Sequence, residues 1–539
     1  MVRDPVQEAK EQIRLVRILI YTLLGALSYL LCIHFIGVES MRYSDEVTHA
    51  RVIQEGIDSG AWFRLTLDGE PYYRKPPFKM WLTRFIITLF GEGNFQYRIL
   101  DGLATLGTVV ATMFLAFRLF GSHLTAVLCG LLLLGSSDFL VESRNNQGTQ
   151  DAMLLFLITA SMCVGLRLVR QARIDNGGSI RGLVIVLSVL LGMAISTKSL
   201  AGGIPALLLF SALVFTLRTG FTTFLLRHRK ILILAPFLVL AIPGLYYGPL
   251  FLREPGAWEQ VFQVEIFDRL LGEGYHNQQH WDFYLSGVFV RRPTFPVPIM
   301  LLGAVVAIGH LIYNRDRAAW GFLLVWIALP LVLYSSFSSR VFHYIAPIFP
   351  ALAILSSQGL AWATTAALRW VRACSLATSL AKAACCSLAL VPCYSLIGSQ
   401  LRDSIRSVST SGKKIDIEKI VTEIRASRER APTRTILFNM EKFLAGTGNQ
   451  AWRFKFYLHF IQDESRSESQ IEGVLQATAL PGPLWVLAPI EYRDELTRLS
   501  SPCEVRPFVH PEGKRSHYRS NELHKGLGKP QLVLIRYQC

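Results

Sequence analysis

Ile18–Ile36 reads ILIYTLLGALSYLLCIHFI, and from Met41 to Trp81 it is followed by MRYSDEVTHARVIQEGIDSGAWFRLTLDGEPYYRKPPFKMW. The first stretch is long and apolar enough to cross a bilayer, which takes about 20 mostly apolar residues. The second crowds acids, bases and aromatics into a chain that is otherwise mostly hydrocarbon. Together they decide the fold class: a membrane protein whose first outer loop is too rich in chemistry to be a passive connector. Residues 1–17 are polar and basic, with Arg3, Lys10, Arg14 and Arg17. The run after them is long for a signal peptide, and no small-residue cleavage site follows it. An uncleaved first helix with a cytoplasmic N-terminus is expected.

The rest of the chain agrees. Of 539 residues, 51% are hydrophobic and 17% charged, and the mean hydropathy of +0.35 is too apolar for a soluble protein of this size. Further apolar runs fall at 98–117, 124–141, 151–169, 183–197, 200–217, 231–251, 294–313, 319–336, 342–362 and 383–399, so a mainly α, polytopic helical membrane protein of about eleven spans is predicted. Threading these runs puts Arg167, Arg170, Arg173 and Arg181 in the cytoplasm, then Arg218, Arg227, Arg229 and Lys230, then Arg315 and Arg317, then Arg369 and Arg372. That bias follows the positive-inside rule. It places 37–97, 142–150, 252–293 and 337–341 together on the far side.

The net charge of +16 is accounted for by this rule and by attraction to anionic lipid headgroups, and no nucleic-acid partner is expected. The nine cysteines show no metal-ligand spacing. Those at 32, 129, 163, 374, 385, 386 and 393 sit in or beside apolar runs as small hydrophobes, and Cys503 and Cys539 lie in the polar tail. Two domains are expected: 1–399 in the membrane, and a soluble α/β domain over 400–539, outside the cytoplasm. In the second, short apolar strands such as Thr435–Phe438 and Leu484–Ala488 alternate with helical stretches such as Asp416–Arg430 and Tyr492–Leu499.

Several polar residues lie where an apolar chain does not need them. Asp45 and Glu46 open a helix next to a span. An Asp there is a natural cap, and it is equally a carboxylate at the membrane face. In Tyr72-Tyr73-Arg74-Lys75-Pro76-Pro77 the two prolines forbid regular helix, so Arg74 and Lys75 are presented on a stiff segment suited to gripping a phosphate. Arg144 and Asp151 belong to the second far-side loop. Asp151 opens an apolar run, where it either caps the helix or acts as an ionisable group at membrane depth. Lys198, in STKSLAGG, is a snorkelling lysine or a site residue, and Arg340 and His343 begin a run on the same face. The loop 252–293 holds Glu265, Asp268, Arg269, His276, His280 and Asp282. The spacing of His276 and His280 allows a divalent metal site if that segment is helical.

Taken in order, the acidic pair after the first span, GAWFRLTLDGEPYYRKPPFKMW, GNFQYRILDGLATL and TQDAMLLF resemble the GT-C superfamily of glycosyltransferases. The likeness is to bacterial members related to the aminoarabinose transferase of lipid A, an enzyme of cell-envelope lipid A modification, and to protein O-mannosyltransferases. STKSLAGGIPALLL, VEIFDRLL with GYHNQQHWDFYLSG, and SSRVFHYIAPIFPALAIL are similar to later family segments, and the likeness covers roughly residues 15–360. It implies an inverting transferase of the inner (plasma) membrane, with its site facing the periplasm. A polyprenyl-phosphate-linked sugar would be the donor and a lipid, glycan or protein the acceptor.

Carried over by residue, the resemblance makes Asp45 the first-loop aspartate, Lys75 the lysine of the Lys-Pro motif and Asp151 the later acidic residue. His276, or less closely His280, matches the aromatic-loop histidine. Asp45, Glu46 and Asp151 are then catalytic candidates, and Arg74, Lys75, Lys198 and Arg340 candidates for binding the donor phosphate. The chain departs from the family pattern at three places. Arg74 stands where a metal-binding glutamate is expected, which repels a divalent ion. Lys198-Ser199-Leu200 replaces Lys-Gly-Pro, and Arg340 replaces a lysine while keeping the charge. A polyprenyl-phosphate or lipid transporter and a catalytically inactive relative are the competing classes. A transporter is expected to show paired broken helices in related halves, and the sequence shows none.

Overall fold

The computed structural model describes residues 5–34, 36–37, 41, 45–140, 149–174, 180–217, 220–263, 279–291, 295–313, 317–337, 340–373, 393, 396–402, 424, 434–438, 465–468, 474, 484–489, 492–499, 502, 504–509 and 531–537. The chain forms two compact units: Met1–Gly37 with Val52–Ser404, and Val38–Arg51 with Ile405–Cys539. The polar stretch after the first apolar run is thereby divided, with Asp45 and Glu46 in the second unit and its part from Val52 onward in the first.

The helices are α1 Pro5–Tyr29, α2 Asp45–Ser59, α3 Phe78–Phe90, α4 Asn94–Phe120, α5 His123–Gly135, α6 Ser137–Leu140, α7 Asp151–Ile174, α8 Arg181–Lys198, α9 Ile204–Leu217, α10 Phe221–Arg253, α11 Ala257–Glu259, α12 Phe283–Ser286, α13 Val297–Ile312, α14 Arg317–Ser335, α15 Phe349–Ala373 and α16 Arg493–Leu499. Among the described residues, seven helical segments are long and apolar enough to cross a membrane: Glu11–His34, Asn94–Phe120, Asp151–Arg173, Arg181–Leu217, Phe221–Arg253, Ala318–Ser335 and Phe342–Val371.

This differs from a count of about eleven runs for three physical reasons. Residues 183–197 and 200–217 give two helices, α8 and α9, joined without a loop by the 3-10 turn Ser199–Gly203 and so counted together as Arg181–Leu217. The runs at 124–141 and 294–313 give shorter helices, His123–Gly135 and Val297–Ile312. The run at 383–399 lies almost wholly outside the described residues.

Within the first unit α4 packs between α5 and α7, α7 against α8 and α9, α8 against α10, and α13 along α15. The core is almost wholly aliphatic and aromatic, with Trp320, Trp326, Phe295 and Phe349 fully buried. Helix α10 instead exposes Leu234, Phe237, Leu240 and Leu245. An exposed apolar face of that extent needs hydrocarbon around it, which a bilayer supplies. The protein is an integral membrane protein.

In the second unit a five-stranded sheet has the order β4-β3-β5-β7-β6, from β3 Arg434–Phe438, β4 Ser465–Glu468, β5 Leu484–Pro489, β6 Glu504–Val509 and β7 Gln531–Tyr537. Strands β4 and β5 run parallel to β3, while β7 is antiparallel to both β5 and β6. Alternate residues Leu484, Val486 and Ala488 of β5, with Ile436, Ile535 and Tyr537, bury one face beneath Leu496 of α16. The two strands and the helix read from sequence are present here, and the stretch Asp416–Arg430 lies outside the described residues apart from Ile424.

Tyr537 ties helix to sheet, its hydroxyl donating to the Leu496 carbonyl at 2.5 Å. Burial pushes its phenol up to about 12, above the ordinary value near 10. Below pH ~10 the phenol is neutral in both states. Above that the unfolded chain ionises first, so stability is lost as pH rises from ~10 to about 12. Tyr537→Phe is expected to cost about 1 kcal/mol and to remove this alkaline slope, as read by hydrogen exchange of the β5 and β7 amides.

Candidate active site

The site is built around a single buried contact. Asp151 opens α7 and Lys198 closes α8, and the Lys198 ammonium is hydrogen-bonded and ion-paired to Asp151 Oδ1, with side chains only 14% and 13% exposed for Lys198 and Asp151. Helix α8 stops at Lys198 because the chain turns there: Ser199 takes a φ of 42°, followed by the 3-10 turn to Gly203. That turn folds back so tightly that a Cβ on Gly202 would lie 2.2 Å from the Ala194 carbonyl carbon. Gly202→Val is therefore expected to displace Lys198 and to destabilise the protein by several kcal/mol, about the size seen for backbone clashes in a core. Thermal unfolding of the purified variant checks this.

Further cations and aromatics surround the pair. Lys75 and His343 lie within electrostatic reach of the Asp151 carboxylate. The Tyr344 ring centre is 5.5 Å from the Lys198 ammonium, a cation–π contact, and Tyr344 leans on Tyr334 at 5.8 Å. Tyr284 donates to the Val341 carbonyl at 3.2 Å, and burial raises its phenol above the usual range. Among the described residues the cluster holds one carboxylate, Asp151, beside the lysines Lys75 and Lys198, which leaves net positive charge for an anion.

Arg340 stands beside this group. Its Nε and Nη2 donate to the Ser335 carbonyl at 3.3 and 2.8 Å, and its Nη1 donates to the Gln279 carbonyl. As placed it braces the backbone, and among the described residues these bonds engage three of its five donors. Arg74 is exposed, so of the two basic residues before the prolines only Lys75 is drawn toward Asp151.

The loop that presents Lys75 is pinned from several directions. The Glu55 carboxylate accepts from the Thr66 hydroxyl at 2.9 Å and from the Asp68 and Gly69 amides at 2.6 and 3.2 Å. It thereby clasps the hairpin of β1 Thr66–Leu67 and β2 Glu70–Pro71. Arg84 donates to the Ala61 carbonyl at 2.7 Å and stacks over Trp62 at 4.0 Å. At the end of α10, Arg64 pairs with Glu254 at 2.9 Å, and Tyr246 donates to the Tyr72 carbonyl at 3.5 Å. Burial and the Glu254 carboxylate together raise the Tyr73 phenol. On the other side, Gln150 donates to the Pro76 carbonyl at 3.0 Å, and Lys79 donates to the Thr149 carbonyl while pairing with Asp101 at 2.6 Å.

Asp45 and Glu46, in the second unit, are the first residues of α2, and they differ in burial: Asp45 is exposed and Glu46 is 5% exposed. Arg144, Glu265, Asp268, Arg269 and His276 lie outside the described residues. His280 is exposed, with Nδ1 2.6 Å from Asp282 Oδ1. Among the described residues no three His, Cys, Asp or Glu side chains group as a metal site. Among the described residues, Asp151 is the carboxylate of the cluster and it already pairs with Lys198.

Lys79, Asp101 and Gln150 are site-forming residues that sequence reasoning passed over. The available signal was a lysine and an aspartate inside the apolar stretches PPFKMW and ILDGLATL, since ionisable groups at membrane depth are rarely idle.

This bundle and cluster define a polytopic helical membrane protein. Residues 14–259 match the dolichyl-phosphate-mannose-protein mannosyltransferase family. The chain is 26% identical over 333 residues to the undecaprenyl phosphate-alpha-4-amino-4-deoxy-L-arabinose arabinosyl transferase of Shewanella sediminis, 60% of this chain and 57% of that protein. To the transferase of the same name from Edwardsiella ictaluri it is 30% identical over 324 residues, 58% of this chain and 54% of that protein. The chain thus spans somewhat over half the length of these curated relatives.

Its fold is similar to ArnT from Cupriavidus metallidurans solved with bound undecaprenyl phosphate, with a TM-score of 0.59 and 17% identity over 96% of this chain and 97% of that one. It is also similar to the apo oligosaccharyltransferase of Archaeoglobus fulgidus, with a TM-score of 0.51 and 13% identity over 88% and 70%.

Proposed function

We propose that the protein is an inverting glycosyltransferase that moves a sugar from a polyprenyl-phosphate donor to a lipid, glycan or protein acceptor at the outer face of the inner membrane. The observation that carries this reading is the Asp151–Lys198 pair with Lys75 within electrostatic reach. It is a positively biased cluster at the ends of α7 and α8, which suits a phosphate attached to a lipid tail. The curated relatives are named as undecaprenyl-phosphate aminoarabinose transferases. An undecaprenyl-phosphate amino sugar is therefore the first donor to test, and lipid A the first acceptor.

The chemistry is displacement at the anomeric carbon. The acceptor oxygen attacks, the bond from that carbon to the phosphate oxygen breaks with its electron pair going to phosphate, and polyprenyl phosphate leaves. Lys198 and Lys75, with Arg340, stabilise the charge that grows on the leaving phosphate. Asp151 orients Lys198. By the family resemblance alone, Asp45 is assigned the role of taking the proton of an acceptor hydroxyl. If the acceptor is itself a phosphate, no strong base is needed and Asp45 orients it.

Proteoliposomes holding the protein, given polyprenyl-phosphate sugar labelled in the sugar together with crude envelope acceptors, test the reading. Label is expected to move into the acceptor fraction. Translocation of the labelled lipid without transfer would replace this reading by a transporter.

A further inference from the structure

Lys79 and Asp101 are 4% and 2% exposed at their side chains and 2.6 Å apart. An ion pair buried this deeply is often no more stabilising than an apolar pair of the same size. Its position gives it another role. Lys79 lies in the first turn of α3, just past the two prolines that follow Lys75. Besides pairing with Asp101, its ammonium donates to the carbonyl of Thr149, in the turn that leads into Asp151. The bond is answered in the opposite direction. The side chain of Gln150, itself 2% exposed, donates to the carbonyl of Pro76 at 3.0 Å.

Side chain to backbone in each direction, these bonds join the segment carrying Lys75 to the segment carrying Asp151, which are far apart in sequence. Asp101, from α4, neutralises the lysine that makes the join. Both backbone carbonyls belong to irregular turns that no helix ladder satisfies, so each needs a partner once buried.

We infer that Lys79, with its charge balanced by Asp101, and Gln150 are positioning residues: a reciprocal clasp that holds Lys75 over the Asp151–Lys198 pair so that both lysines meet one phosphate. This rests on the donor-phosphate reading above. Neither residue touches the donor. The clasp acts by removing the freedom of the Pro-Pro segment, and a displacement of about 1 Å between groups that must act together can cost on the order of a hundredfold in rate.

The test uses the full-length protein in nanodiscs and compares wild type with Lys79→Met/Asp101→Leu, which removes both charges and leaves neither orphaned, and with Lys79→Arg, which keeps charge and donors. Two quantities are read: hydrogen exchange at the amides of Tyr72–Lys75, and affinity for polyprenyl phosphate, with Lys198→Met as the reference for a lost phosphate contact. The folded double variant is expected to exchange at these amides about tenfold faster or more, and to bind polyprenyl phosphate about tenfold more weakly or worse. Lys79→Arg is expected to restore most of both.

A folded double variant with wild-type exchange overturns the clasp. Faster exchange with unchanged affinity overturns its positioning role. Wild type that binds no polyprenyl phosphate overturns the donor reading itself and this role with it, a result distinct from the other two because it appears without any substitution. If the double variant does not fold, Gln150→Leu, which leaves the ion pair intact, is read against the same outcomes.

Discussion

Lys198→Met is expected to lower sugar transfer by about a hundred- to a thousandfold, the size of effect seen when one preorganised charge stabiliser is removed from a reaction centre. The same change leaves the Asp151 carboxylate 13% exposed and without its lysine, and breaking a buried pair from one side costs about 3–5 kcal/mol of stability. The two effects separate in a second variant. Lys198→Met/Asp151→Leu removes the orphaned carboxylate, so stability should largely return while transfer does not. Asp151→Asn should weaken donor binding less than Lys198→Met, because it keeps the cation and loses only its orientation. Initial rates at saturating acceptor, with thermal unfolding of each variant, check all three.

Asp45→Asn is the second large effect. Removing a general base typically costs about a hundred- to ten-thousandfold, and the loss should fall on turnover, with donor affinity near wild type. Asn keeps the size and capping ability of Asp at the start of α2, so the helix should stay folded. The outcome also reports on the acceptor. A large drop marks a hydroxyl acceptor that must lose its proton. A small one marks an acceptor phosphate, already ionised, for which Asp45 only orients. Glu46→Gln should act through stability instead, because Glu46 is buried.

Much of the fold is legible in the sequence because bilayers demand long apolar runs and cytoplasmic arginines. Each run from 18–36 to 342–362 corresponds to a helix in the structure. Their number as spans was less legible, since an apolar run does not reveal where a helix breaks. Only the strained turn at Ser199 and the close approach at Gly202 mark the hinge between α8 and α9. For the candidate site, Asp151 and Lys198 stood out as ionisable residues at the mouths of apolar runs, and they meet. Lys79 and Asp101 stood in comparable surroundings, but their meaning depends on α3 packing against α4, which no local pattern encodes. Arg340 shows the converse. Its charge was visible, whereas the carbonyls of Ser335 and Gln279 that occupy its donors exist only in the folded chain.

The place of Lys75, Lys198 and Asp151 as a leaving-group site for a sugar-bearing lipid phosphate is tested most directly by the lipid product. Purified protein would be incubated with a defined polyprenyl-phosphate sugar and an acceptor, and the released lipid identified by mass spectrometry. Cleavage at the anomeric carbon releases polyprenyl phosphate one for one with sugar transferred, and Lys198→Met suppresses both equally. Free polyprenol with sugar phosphate, or release that is indifferent to Lys198, would contradict it.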